Sequence, residues 1–204
     1  SDDEGFRGES KVFPRLHQSG SNNQYYTQSE LREIIDYAAA KGIMVYPEFD
    51  LPGHCTSWLA GYPELASGPG PYEPGPRYKL SQDISPVAML ALLMNYPTPA
   101  INPAKEEVYQ FLDEFIAEMA TIFTAPYYHT GADENNGKVW ENNPQIIQFM
   151  KDNKINNTDE LQRYFVNRLR DILRKHNKQM IGWEEVFNTD LPEDVVVQVW
   201  GAMG

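Results

Sequence analysis

The sequence predicts an α/β fold built on a parallel sheet. Short apolar runs alternate with long amphipathic ones, helix start and stop signals fill the gaps, and each apolar run ends in polar or aromatic residues instead of a tight turn. Four runs read as buried strands, at 43–49, 127–131, 179–183 and 195–200, and the tail of another is expected at Ser1. Thr27-Gln28-Ser29-Glu30 is a capping box that opens a helix with Leu31, Ile34, Ile35 and Ala38 on one face and Gly42 as its stop. Asn102-Pro103 is read as the start of a second helix, with an apolar stripe of Val108, Phe111, Leu112, Phe115, Ile116 and Met119. A third is expected over 158–176 and a shorter one over 144–151. The stretch 19–24 reads as a polar loop, and 66–78, rich in proline and glycine, as a long loop after a strand end.

With 204 residues and four full strands, the chain is either an open α/β sheet or an excised piece of an eight-stranded barrel, which usually takes about 250 residues. Its apolar fraction of 41% is that of a globular protein with a core. A formal net charge of −12 opposes a nucleic-acid partner and an anionic membrane surface, both of which call for clustered Lys and Arg. No stretch approaches the roughly 18–20 apolar residues of a membrane span, so no membrane insertion is expected. Ser1-Asp2-Asp3-Glu4 is acidic where a signal peptide is basic and then apolar. Cys55 is the single cysteine, so no internal disulfide forms and the redox compartment stays open.

In parallel α/β folds the chemistry gathers at the C-terminal strand ends. Those ends carry Glu48, Asp50 and His54, then His129, Asp133 and Glu134, then Trp183, Glu184 and Glu185, then Trp200. Sugar sites need both kinds of residue, because pyranose C–H faces pack on indole rings while hydroxyls and glycosidic oxygens need carboxylates. Successive strand residues point to opposite faces, so Asp133 and Glu134 reach one pocket only if the strand breaks, and Gly131 with Asn135-Asn136-Gly137 supplies a means. Two close acids raise one pKa, which suits a general acid for glycoside hydrolysis. The bland alternative is an acidic cap at a helix N-terminus. His54 reads either as a backbone-bonded loop histidine or, with Glu48 and Asp50, as a metal ligand.

In order along the chain, Ser1-Asp2-Asp3-Glu4-Gly5-Phe6-Arg7, Val45 to His54 with Tyr62-Pro63-Glu64-Leu65, His129 to Glu134, Gly182-Trp183-Glu184-Glu185 and Val197-Gln198-Val199-Trp200 resemble segments of the family 20 glycoside hydrolases, the β-N-acetylhexosaminidases. The resemblance implies a partial (β/α)₈ TIM barrel, from roughly the end of strand 2 through strand 6. Residues 1–204 would then be the central part of one catalytic barrel. It implies removal of terminal N-acetylhexosamines by retaining, substrate-assisted catalysis, a recognised exception to the two-carboxylate scheme. Glu134 would be the general acid and Asp133 the carboxylate that orients the substrate's acetamido group. Asp2 and His54 would support the acid, Trp183 and Trp200 would wall the sugar pocket, and Asp50, His129 and Glu185 would lie beside it. No cofactor or metal is implied, and the partners are N-acetylhexosamine-terminated glycans or chitooligosaccharides. Members of the family are commonly secreted, periplasmic or lysosomal. One departure falls next to the acid pair, where Ala132 stands in place of the family's usual glycine. A non-catalytic glycan-binding module and a metal-dependent hydrolase using Glu48, Asp50 and His54 remain as alternatives.

Overall fold

The computed structural model describes residues 2–74, 98–188 and 190–201. Three strands, β1 (Tyr127–His129), β2 (Gln179–Trp183) and β3 (Val196–Gln198), pair in that order and all parallel, with Tyr127 opposite Gln179 and Ile181 opposite Val196. The run 47–51 lies on the other side of β1. Glu48 bridges His129 in parallel sense, His129 N–H donates to the Pro47 carbonyl at 2.9 Å, and Leu51 N–H donates to Thr130 at 2.9 Å. These segments form an arc of a (β/α)₈ barrel, with helices packed outside it.

Strand β2 fills its predicted run, whereas the other strands are shorter than theirs. The expected strand at 43–49 has one bridge only, because among the described residues nothing pairs with Ile43 to Tyr46, and Ile43 and Met44 are more than half exposed. Strand β1 stops at His129, since Gly131 turns left-handed (φ +66°) and gives its N–H to the His129 ring at 3.0 Å. Strand β3 stops at Gln198, and Trp200 N–H goes to the Glu184 carboxylate at 2.9 Å instead of to a ladder partner. At the other end, Asp2 makes an isolated antiparallel bridge to Gly5.

Helix α1 (Arg15–Gly20) takes up the first residues of the expected polar loop at 19–24, whose remainder turns through Asn22 and Asn23, both at positive φ. Helix α2 (Gln28–Ala39) has the capping box formed in both directions, and it ends with Gly42 at φ +74° while Ile43 N–H reaches back to Ala38. Its apolar face is covered only in part: Leu31 and Ile35 touch the core and Ile34 is exposed. Helix α3 (Thr56–Gly61) follows the 47–51 run. Helix α4 (Glu106–Ala120) begins later than Asn102-Pro103 suggests, because Lys105 is extended and the Asn102 side chain closes a turn onto Ala104 N–H. Its whole predicted stripe is buried. Beyond β1 come α5 (Lys138–Glu141), α6 (Pro144–Asp152), capped by Asn143 with Pro144 in its first turn, and α7 (Thr158–Lys175), capped by Asn157. Helix α7 packs against both α4 and β2. Of the expected loop at 66–78, the part beyond 74 lies outside the described residues.

The core is aromatic. Phe115 lies 4.9 Å from Trp58 and 5.0 Å from Phe49 in edge-on contacts, and Phe6 closes the group at 5.1 Å from Trp58. Phe6 fixes the N-terminal run to the barrel wall, and the Arg7 guanidinium ties it further to the carbonyls of Ser21, Gln24 and Glu4. Phe115 is completely buried. Truncation to alanine removes its ring contacts and leaves a void, so Phe115→Ala is expected to cost about 3–5 kcal/mol in urea unfolding; a loss below about 1 kcal/mol would contradict this packing.

Candidate active site

His54 holds the site together. It follows the 47–51 run in a left-handed conformation (φ 46°), which turns its ring back across the strand ends. Nδ1 lies 3.1 Å from Asp2 Oδ1 and 3.2 Å from Asp3 Oδ2, while Nε2 lies 3.5 Å from Asp133 Oδ2 and 3.4 Å from Glu134 Oε2. Burial alone would favour the neutral ring. The carboxylates of Asp133, Asp2 and Asp3 outweigh it and push the His54 pKa far up, so the ring is an imidazolium.

Asp3 escaped the sequence reading, which named its neighbour Asp2. Asp3 is 4% exposed, whereas the Asp2 side chain is half exposed. Asp3 accepts from Thr56 N–H at 3.0 Å and from the Thr56 hydroxyl at 2.6 Å. Burial opposes its charge, but His54 and the two Thr56 donors hold its pKa down at about 2. The acidic doublet was visible in the sequence, but which acid points inward depends on how Phe6 anchors the run.

The acid pair sits on a broken strand. Gly131 (φ +66°), Ala132 (φ 76°) and Glu134 (φ 46°) all take left-handed backbone, which lets consecutive carboxyls meet the same imidazole nitrogen. Any Cβ at Gly131 would collide with the Asp50 carboxyl. Asp50 accepts from Ala132 N–H at 3.0 Å, and Gln162 donates to the Ala132 carbonyl at 2.8 Å, so the break is held from both sides. The Ala132 methyl is fully buried as part of the main apolar core. Burial, and then the adjoining Asp133 carboxyl, push Asp50 up to about 9, while hydrogen bonds from His54 and Asp50 overcome burial and lower Asp133. Asp50 therefore carries the proton and Asp133 the charge.

A second group adjoins the first. Glu48 Oε1 accepts from Trp183 Nε1 at 3.0 Å and lies 3.6 Å from His129 Nδ1, and the His129 ring meets the Trp183 indole edge-on at 4.8 Å. Burial lowers the His129 pKa against the pull of Glu48 and Asp133. Since Nδ1 accepts from Gly131, the neutral ring carries its proton on Nε2. At the edge of the sheet Trp200 is 57% exposed, with Nε1 3.4 Å from Glu185 Oε2.

Glu48 thus faces the indole, and the proposed metal set of Glu48, Asp50 and His54 does not assemble: Asp50 is drawn down to the Ala132 N–H, away from Glu48. Among the described residues, the groups with ligand atoms within 4.8 Å of one another are Asp2, Asp3 and His54, and Asp50, His54 and Asp133. His54 is common to both groups, and its two ring nitrogens face one group each. Gln162, which braces Ala132 and accepts from Asn135 Nδ2 at 2.9 Å, was not singled out from the sequence. A polar residue on a helix gives no sign of what its amide reaches.

A parallel barrel arc with carboxyls and indoles at its C-terminal rim defines the class of glycoside-processing barrels. The model of the family described as Glycosyl hydrolase family 20, catalytic domain, matches residues 1–204. The chain belongs to this family. It is 35% identical over 204 residues to beta-hexosaminidase subunit alpha of Rattus norvegicus, covering 98% of this chain and 35% of that protein. It is 31% identical to a beta-hexosaminidase of Porphyromonas gingivalis, covering 98% of this chain and 25% of the other. Among solved structures, a chitobiase of Flavobacterium johnsoniae superposes with a TM-score of 0.84 at 36% identity, over 98% of this chain and 28% of its own. An exo beta-N-acetylglucosaminidase of Vibrio harveyi, in complex with N-acetylglucosamine, superposes at 0.78 with 31% identity, over 99% and 32%. The chain thus spans about a quarter to a third of the length of these relatives.

The site also sets an acid limit on stability. Asp3 has a depressed pKa, so its contribution is full above about pH 4 and is lost as pH falls through about 2. The raised His54 contributes below about pH 6.5, the ordinary histidine value, and fades only as pH rises toward its folded value. Asp3→Asn is expected to cost about 2 kcal/mol in urea unfolding at pH 6 and less than half of that at pH 2. Equal losses at the two pH values would refute the ion pair.

Proposed function

We propose that the protein is a retaining β-N-acetylhexosaminidase that releases terminal N-acetylglucosamine or N-acetylgalactosamine by substrate-assisted catalysis. The observation that carries this reading is the single His54 nitrogen lying between Asp133 and Glu134, with two further carboxylates behind the ring. Glu134 donates a proton to the glycosidic oxygen as the bond to the anomeric carbon breaks. The substrate's acetamido carbonyl oxygen forms the new bond to that carbon, which gives an oxazolinium ion. Asp133, ionised beside the protonated Asp50, accepts from the acetamido N–H and offsets the growing positive charge, an interaction that strengthens toward the transition state. Water, deprotonated by Glu134, then opens the ring with net retention. The nucleophile is tethered to the substrate, and an effective molarity of about 10⁵ M or more makes an enzyme nucleophile unnecessary. His54, backed by Asp2 and Asp3, positions both acids. Trp183, fixed by Glu48, and Trp200, fixed by Glu184 and Glu185, offer indole faces to the sugar, with His129 behind Trp183.

Glu134→Gln separates this reading from a binding module. It is expected to lower kcat on p-nitrophenyl N-acetylglucosaminide by about 10²–10⁴-fold while a thiazoline analogue of the oxazoline still binds. Unchanged turnover would sink the assignment.

The open flanks of the sheet belong to the same proposal. Ile43 and Met44 on one side, and Val196 and Val199 on the other, expose apolar surface at edges that no described strand covers. At high concentration the 204-residue chain is expected to self-associate through these edges. Sedimentation velocity checks this, and a monomer at all concentrations tested would contradict it.

A further inference from the structure

One side chain bonds the residues on both flanks of the acid pair. Gln162 Nε2 donates to the Ala132 carbonyl at 2.8 Å, and Gln162 Oε1 accepts from Asn135 Nδ2 at 2.9 Å, so a single amide closes the turn 132–135 that carries Asp133 and Glu134. The polarity of this arrangement runs one way. A carbonyl only accepts, so Nε2 must face Ala132; that turns Oε1 toward Asn135, which must present its own amide N–H. Asn135 Oδ1 then accepts from Gly137 N–H at 3.4 Å. The opposite side of the turn rests on Gly53, beside His54, where an added Cβ would lie 3.3 Å from the Asp133 carbonyl and 3.4 Å from Asn135 Cβ. Gln162 is flanked on α7 by Leu161 and Phe165, both completely buried, so the core fixes the helix from which it reaches.

We propose that Gln162 is a positioning residue: it latches the peptide between Ala132 and Asp133 and thereby aims both acids at His54 and the substrate. The inference deepens the hexosaminidase reading and rests on it. Ala132 (φ 76°) and Glu134 (φ 46°) hold left-handed backbone, which residues other than glycine disfavour, so the turn would relax if its carbonyl were free to rotate. The Ala132 carbonyl belongs to the peptide that leads into Asp133. Rotation of that plane would reset ψ of Ala132 and φ of Asp133, the angles that direct the Asp133 carboxyl. Asp50 holds the preceding peptide, through the Ala132 N–H at 3.0 Å, and leaves this one to Gln162. A misplacement of about 1 Å at the reacting groups can lower a rate about 10²-fold, so an amide that touches no substrate still bears on turnover.

Two aryl N-acetylglucosaminides read the effect. The 2,4-dinitrophenolate of one departs without a proton, whereas the p-methoxyphenolate of the other needs Glu134 to donate one. Gln162→Met keeps the side-chain volume and removes both bonds. It is expected to lower kcat on the p-methoxyphenyl glycoside about tenfold more than on the 2,4-dinitrophenyl one, with KM nearly unchanged. Asn135→Ala leaves the Ala132 bond but frees the amide to turn, and is expected to give a smaller split of the same kind. A mere loss of folded protein would lower both rates equally. In NMR of the full 204-residue chain labelled at the histidine ring nitrogens, Gln162→Met is expected to shift His54 Nε2, which faces Asp133 and Glu134, more than Nδ1, which faces Asp2 and Asp3. Equal losses on both glycosides, or an unshifted Nε2, overturn the positioning role, while hydrolysis by the unaltered chain leaves the hexosaminidase reading standing. If the unaltered chain hydrolyses neither glycoside, that reading fails and takes the positioning role with it.

Discussion

A largely enclosed imidazolium with four carboxyl groups around it is the constraint on which the rest of this structure depends. His54 reaches Asp2 and Asp3 through one nitrogen and Asp133 and Glu134 through the other. Charges removed from water are tolerated only when paired and hydrogen-bonded, and here the partners come as two consecutive pairs from distant parts of the chain. Phe6 seats the N-terminal acids, the left-handed turn at His54 aims the ring, and the break after β1 delivers the other two carboxyls. Removing any one of these supports takes away part of the opposite charge that faces the ring.

The broken strand stores a cost that its neighbours offset. A left-handed alanine is disfavoured by about 1–2 kcal/mol, yet Ala132 adopts this conformation between the Asp50 carboxyl and the Gln162 amide, with its methyl in the core. Its methyl is directed into packing, which offsets part of that cost. The same geometry divides the work of two aspartates. Asp50, deeply buried, is kept protonated, and Asp133, facing the imidazolium, stays charged.

Much of this was legible from residue patterns. Helix α7 and strand β2 appear nearly where their periodicities place them, and the capping box at Thr27 forms as written. The strands at 43–49, 127–131 and 195–200 came out short, because a strand exists only where a neighbour supplies hydrogen bonds, and a single chain's pattern does not state its neighbours. The late start of α4 arose from the Asn102 side chain closing its own turn, a local competition that Asn-Pro alone leaves undecided.

The sequence by itself determined the βα alternation, the family, and the residue types at the strand ends, since apolar period and short motifs are local properties of the chain. The tertiary structure alone decided that Asp3 is the buried partner of His54, that Glu48 turns to Trp183 instead of joining Asp50, and that Gln162 braces the acid turn. Each of these depends on which residues, more than twenty-five positions apart, are brought within hydrogen-bond distance. Burial and distance set protonation, and neither is a property of sequence spacing.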